Sequence, residues 1–190
     1  MKQPALAYVV DCNEHRLTGM FKRQKAIESK SIIESGMDIL PFDVVPHQHY
    51  TLGEALKLKT ILNLVDHGGI DQAEASYTTK AIDHDLPIHP LDYISGLQGK
   101  GDLWIGVGTV VNAKDNEAFK FTVGGTFDEL VDQKDRKMIE EFPGYNLVRF
   151  VTTNVSLAAN SVRQKAQELG LPEGEDETPG SHKIRRGKGK

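Results

Sequence analysis

Residues 4–24, PALAYVVDCNEHRLTGMFKRQ, read as two short helices set three residues apart. Pro4 fits a first helical turn, where its missing N–H costs no hydrogen bond, and Ala5, Leu6, Tyr8, Val9 and Val10 make the helix that follows largely apolar. Asp11-Cys12-Asn13 is a turn. Asn13 is a good N-cap, and Leu17, Met20, Phe21 and Gln24 then recur at the three-and-four spacing of an amphipathic helix. Ala7, Asp11, Cys12 and Leu17 fall at the offsets of a helix-turn-helix. In that arrangement they are a small residue facing the partner helix, a turn residue of positive φ, a buried turn residue and a core residue of the second helix. Asp tolerates the left-handed region better than most residues. The plainer reading of the same pattern is an ordinary helical hairpin.

Working outward, residues 26–49 mix Ile32, Ile33, Ile39, Leu40, Val44 and Val45 with Gly36, Pro41 and Pro46, which predicts one or two short strands with turns. Thr51 and Glu54 have the capping-box spacing. They open a helix with Leu52, Ala55, Leu58, Ile61, Leu62 and Val65 on one face, stopped by Gly68-Gly69. Asp71 caps a further helix through Ala73, Ala75, Tyr77 and Ala81, which ends before Pro87 and Pro90. Beyond lie strands over 103–111 and 118–123 joined by a hairpin turn, a helix over 127–142, a strand over 146–153 and a helix over 155–169. The class is therefore α+β: a mainly helical unit over 1–82, a linker over 83–90, a small β-β-α-β-α unit over 91–171 and a charged tail over 172–190. The tail has no apolar face and is expected to be disordered. The caps and stops predict that residues 1–82 fold without the rest.

The stretch from Tyr50 to Gly68, with Tyr50-Thr51, Glu54, Leu58, Ile61 and Leu64 at matching spacing behind the two N-terminal helices, resembles the MerR family of transcription regulators over about residues 4–82. The resemblance implies a winged helix-turn-helix whose second helix, near 14–24, enters a DNA major groove, with residues 26–49 as the wing. Asn13, Glu14, His15, Arg16 and Thr18 would then reach base edges, and Lys22, Arg23 and Lys25 would neutralise phosphates. Thr18 and Gln48 stand where the family has arginines. Its long dimerising helix has no counterpart, since strands follow Pro90, so a homodimer is expected to pair through residues 91–170.

Charge and composition agree with this reading. The 190 residues carry a net charge of −4, but residues 1–30 hold six basic groups against three acidic ones, and the tail ends in Lys183, Arg185, Arg186, Lys188 and Lys190. Nucleic-acid affinity depends on such a local footprint rather than on the total. No apolar run is long enough for a bilayer span, and the N-terminus lacks the form of a secretory signal, so a cytoplasmic protein with no membrane partner is expected. Cys12 is the single cysteine, which excludes an intrachain disulfide and paired-thiolate zinc sites.

Enzyme signatures are missing from the sequence. His47, His49, His84 and His89 have no carboxylate or thiolate set at ligand spacing. Gly106-Val107-Gly108 lacks the third glycine of a dinucleotide fingerprint. Gly124-Gly125 precedes a helix start already occupied by Asp128 and Glu129. Glu140 and Glu141 face different directions, and Ser156 and Ser161 read as solvent-facing helix residues. The expectation is a non-enzymatic regulator that binds double-stranded DNA, with no cofactor and no effector specified by the sequence. The alternatives are an architectural, excisionase-like factor using the same module and a protein-interaction adaptor without DNA binding.

Overall fold

Seven helices and a three-stranded sheet make up the computed structural model, which describes residues 1–29, 40–42, 44, 49–93 and 101–171, the side chains of 26–29 excepted. The chain is α+β. Helix α1 (Gln3–Val9) has Pro4 in its first turn, and α2 (Glu14–Ser29) follows after the turn at Asp11. Residues 26–29, expected in the strand region, belong to α2; the remainder of the expected wing lies largely outside the described residues, and 40–42 form a bend. Helix α3 (Leu52–Asp66) opens on the full capping box, with the Thr51 hydroxyl accepting from the Glu54 N–H and the Glu54 carboxylate accepting from the Thr51 N–H. Asp71 caps α4 (Gln72–Thr79), and the short α5 (Ala81–His84) follows directly.

The second half is a hairpin of β1 (Leu103–Asn112) and β2 (Ala118–Thr126), then α6 (Phe127–Glu140), β3 (Tyr145–Asn154) and α7 (Val155–Glu168). The strand order is β2-β1-β3, with β1 antiparallel to both neighbours. β1 is therefore covered on two faces. Leu103, Ile105 and Val107 pack into the helical layer, whereas Val110 packs with Phe121, Val123 and Leu130 of α6. Gly106 and Gly108 lie under aromatic rings: a Cβ on Gly108 would come within 2.3 Å of Phe121, and one on Gly106 within 3.0 Å of Phe150. Their lack of side chains makes room for rings in this strand.

The buried core does not stop at residues 83–90. Val107 of β1 and Val162 of α7 belong to the same cluster as Leu6, Leu17, Phe21, Leu58 and Ile61, while Leu56 of α3 joins Ile82, Leu103, Ile105 and Val155. Helix α3 was expected to bury one face, yet Leu56, Thr60 and Leu64 are buried as well as Ala55, Leu58, Ile61 and Leu62. A helix apolar on more than one side must have packing partners on each. Gly68 fits this junction, because a Cβ there would sit 2.6 Å from the Leu64 carbonyl oxygen and 2.8 Å from Val151 of β3.

One expectation about an individual side chain, the exposure of Ser156, is corrected. Tyr77 of α4 is exposed, and the buried residues there are Glu74, Ala75, Ser76, Thr78 and Thr79. The Thr78 and Thr79 hydroxyls donate to carbonyl oxygens of their own helix, which makes their burial tolerable. Ser156 is 2% exposed, and its hydroxyl accepts from the Leu103 N–H at 2.9 Å where α7 starts against β1. Ser156→Ala strands that buried donor and is expected to cost about 1–3 kcal/mol, read as a shift in the chemical-denaturation midpoint.

Candidate nucleic-acid interface

The turn between α1 and α2 is built from its backbone upward. Asp11 has φ +56°, the left-handed value expected of it, and the Cys12 N–H donates to the Ala7 carbonyl at 2.9 Å. Both lysines that hold the Asp11 carboxylate come from distant elements: Lys59 of α3 at 2.8 Å, and Lys165 of α7. The Tyr8 hydroxyl donates to Glu168 of α7 at 2.6 Å. Cys12 is half-buried, and burial pushes its thiol above the ordinary range. Burial also lowers Lys59.

Asn13 caps α2: its side-chain oxygen accepts from the His15 N–H at 2.8 Å, and its carbonyl accepts from the Leu17 N–H at 3.0 Å. Leu17, Met20, Phe21 and Gln24 are buried, and the Gln24 amide oxygen accepts from the Leu40 N–H at 3.1 Å. With about 100° per residue, the direction opposite this buried stripe passes through His15, Gly19 and Lys22. Glu14, His15, Arg16, Lys22, Arg23 and Lys25 are all exposed. A Cβ on Gly19 would meet nothing within 4 Å.

The anticipated contact residues fall into two groups. Lys22 and Lys25 have no ion-pair partner among the described residues, and Asn13, Glu14 and His15 crowd the exposed start of α2. Others are held by the protein itself. Arg16 makes a two-pronged bond to Asp66 at the end of α3, at 2.8 and 2.6 Å; Thr18 accepts from the Gln3 amide at 2.8 Å; Arg23 donates to Gln72 at 3.1 Å. No family model, curated protein or solved structure matches this chain. Among the described residues no three His, Cys, Asp or Glu side chains converge as metal ligands, and no helix is long and apolar enough to cross a membrane.

Asp66, Lys59, Lys165 and Glu168 were not singled out from the sequence. Each acts across at least 48 positions of chain, and such pairs leave no local periodicity to read.

The hydrogen bond from Arg16 holds the Asp66 carboxyl below the ordinary carboxylate range. A depressed carboxyl adds stability above its unfolded value and loses it as pH falls through the lower, folded one. Both side chains are about 40% exposed, so the pair contributes at most about 1 kcal/mol. Asp66→Asn should therefore lower stability slightly at neutral pH, and its difference from wild type should vanish at the acid end of a thermal-melt pH series.

Proposed function

We propose that the chain is a sequence-specific regulator of transcription that binds double-stranded DNA through α2, in the manner its resemblance to MerR-like winged helix-turn-helix proteins implies. The observation that carries this reading is the outward face of α2. Its cations Lys22 and Lys25 lack ion-pair partners among the described residues, and its start presents Asn13, Glu14 and His15 to solvent. A reading helix needs polar groups at its beginning for base edges and cations nearby for phosphates. The left-handed Asp11 at the expected offset supports the same module. Arg16 is assigned a positioning role, since its bidentate bond to Asp66 ties the start of α2 to the end of α3.

Gly19 lies on the same outward face of α2. A glycine inside a helix costs about 0.8–1.0 kcal/mol relative to alanine, and here neither the backbone φ nor packing among the described residues requires one. A close approach by an external backbone would require it. Gly19→Ala should raise the melting temperature while weakening binding to a selected duplex. Unchanged binding would mean that no external backbone closes on Gly19.

The proposed homodimer pairs through the sheet half. At the β2 edge the Gln133 amide donates to the Gly124 carbonyl at 2.8 Å and accepts from its N–H at 3.4 Å, which occupies the outward backbone groups of that one residue. On β3 the register steps between Thr109 and Val110 leave Val148 as an extra residue, 60% exposed. This edge and its apolar side chain are assigned to the second copy. Selection of duplexes from a random pool should enrich two related half-sites, and sedimentation should show a dimer that Val148→Lys dissociates; a pool without enrichment contradicts the DNA reading.

A further inference from the structure

Helix α7 ends against the turn that aims α2. The Tyr8 hydroxyl donates to Glu168 at 2.6 Å, and Lys165, one turn earlier, binds Asp11 and lies 5.2 Å from the centre of the Tyr8 ring. Leu171 donates its N–H to the Ala166 carbonyl at 3.0 Å and packs against the cluster that holds Leu6, Leu17 and Phe21. Asp11 stands two residues before the Asn13 cap, and Leu17 lies one turn into α2. The chain beyond Leu171 therefore starts beside the candidate interface.

Charge beyond Leu171 is sorted into two blocks. Glu173, Glu175, Asp176 and Glu177 come first; Lys183, Arg185, Arg186, Lys188 and Lys190 follow, with no acid after Glu177. The acids are tethered closest to α2, where phosphates engaged by that helix repel them. The bases form a separate block with no acid inside it, and a duplex within reach attracts it. From Leu171 to Lys183 the backbone spans at most about 40 Å. One strand of duplex carries a phosphate every ~3.4 Å, so this reach exceeds a helical turn of DNA.

We propose that the basic block 183–190 contacts phosphates flanking the site read by α2, tethered there by the packing of α7 on the α1–α2 turn and held off the site itself by the acids of 173–177. The inference rests on the reading of α2 as the DNA-facing helix. It gives that interface a second part, which gathers affinity from the DNA backbone without reading bases. Attachment beside α2 makes this second contact intramolecular once α2 has bound, which raises its effective concentration on the same duplex.

The test is a salt titration of the intact chain on two labelled duplexes that carry the same selected site, followed by fluorescence anisotropy. The shorter, of about 20 base pairs, ends at the site, and the longer adds about 10 base pairs on each side. Wild type is compared with Lys22→Gln and with a variant that replaces all five tail cations, Lys183→Gln, Arg185→Gln, Arg186→Gln, Lys188→Gln and Lys190→Gln. Each phosphate contact contributes about 0.9 to the slope of log affinity against log salt, so the wild-type slope should steepen on the longer duplex by up to about 4–5 per chain. The five-fold variant should show one slope on both duplexes, whereas Lys22→Gln should flatten both by about 0.9 and keep the difference between them. A wild-type slope that ignores duplex length, beside a flattened one for Lys22→Gln, overturns the flanking contact and leaves the α2 reading standing. Equal flattening of both duplexes by the five-fold variant makes the effect one of total charge and also overturns it. Flattening by the five-fold variant with none by Lys22→Gln overturns the α2 reading, and with it the placement of the arm beside α2.

Discussion

Helix α3 is apolar around most of its circumference, and the remaining elements are arranged by the need to cover it. Seven of its fifteen residues are buried, and the six apolar ones are distributed between two clusters: Ala55, Leu58, Ile61, Leu62 and Leu64 with α1, α2 and part of α7, and Leu56 with α5, β1 and α7. A fully buried leucine stabilises by about 1.5–3 kcal/mol relative to exposure, so leaving either side of α3 in water would cancel much of a domain's net stability. The two halves of the chain are thereby bound into one packing problem.

This has a direct consequence for α2. Its outward face is defined by what it buries, and Leu17, Met20 and Phe21 share their cluster with residues of α3 as well as Val107 and Val162 from the second half. Polar ties repeat the arrangement at the surface: Lys59 and Lys165 reach Asp11 from α3 and α7, and Arg16 reaches Asp66. The turn that aims α2 is held from both halves. In the proposed role as a DNA-facing helix, α2 would be pre-oriented, which would reduce the ordering cost that binding must otherwise meet.

The sequence disclosed the elements well because their signals are local. Thr51 with Glu54, Asp71, Gly69 at φ +65° and Gly170 at φ +64° mark helix ends through bonds and dihedrals within a few residues. The left-handed Asp11 was legible for the same reason. What local pattern hid was the second side of α3, since Leu56 and Leu64 look like scatter around a single apolar stripe until α7 and β1 are in place. Buried Ser156 and Glu74 were hidden likewise, as their partners Leu103 and Arg149 lie 53 and 75 residues away. Of the candidate interface, the exposed start and the cations of α2 could be read from spacing, but the engagement of Arg16 with Asp66 could not, because a guanidinium's partner is chosen by tertiary proximity.

The central claim is that the helices carrying the candidate interface and the sheet unfold as one cooperative unit around α3. Trp104, the only tryptophan, lies on β1, and Leu17, fully buried on α2, lies in the other half. Leu17→Ala should cost about 2–5 kcal/mol. Urea unfolding of wild type and Leu17→Ala, followed by Trp104 fluorescence and far-ultraviolet circular dichroism together, tests the claim most directly. The account predicts that the substitution moves both midpoints down by the same amount; a Trp104 transition that stays in place while part of the helical signal melts earlier would contradict it.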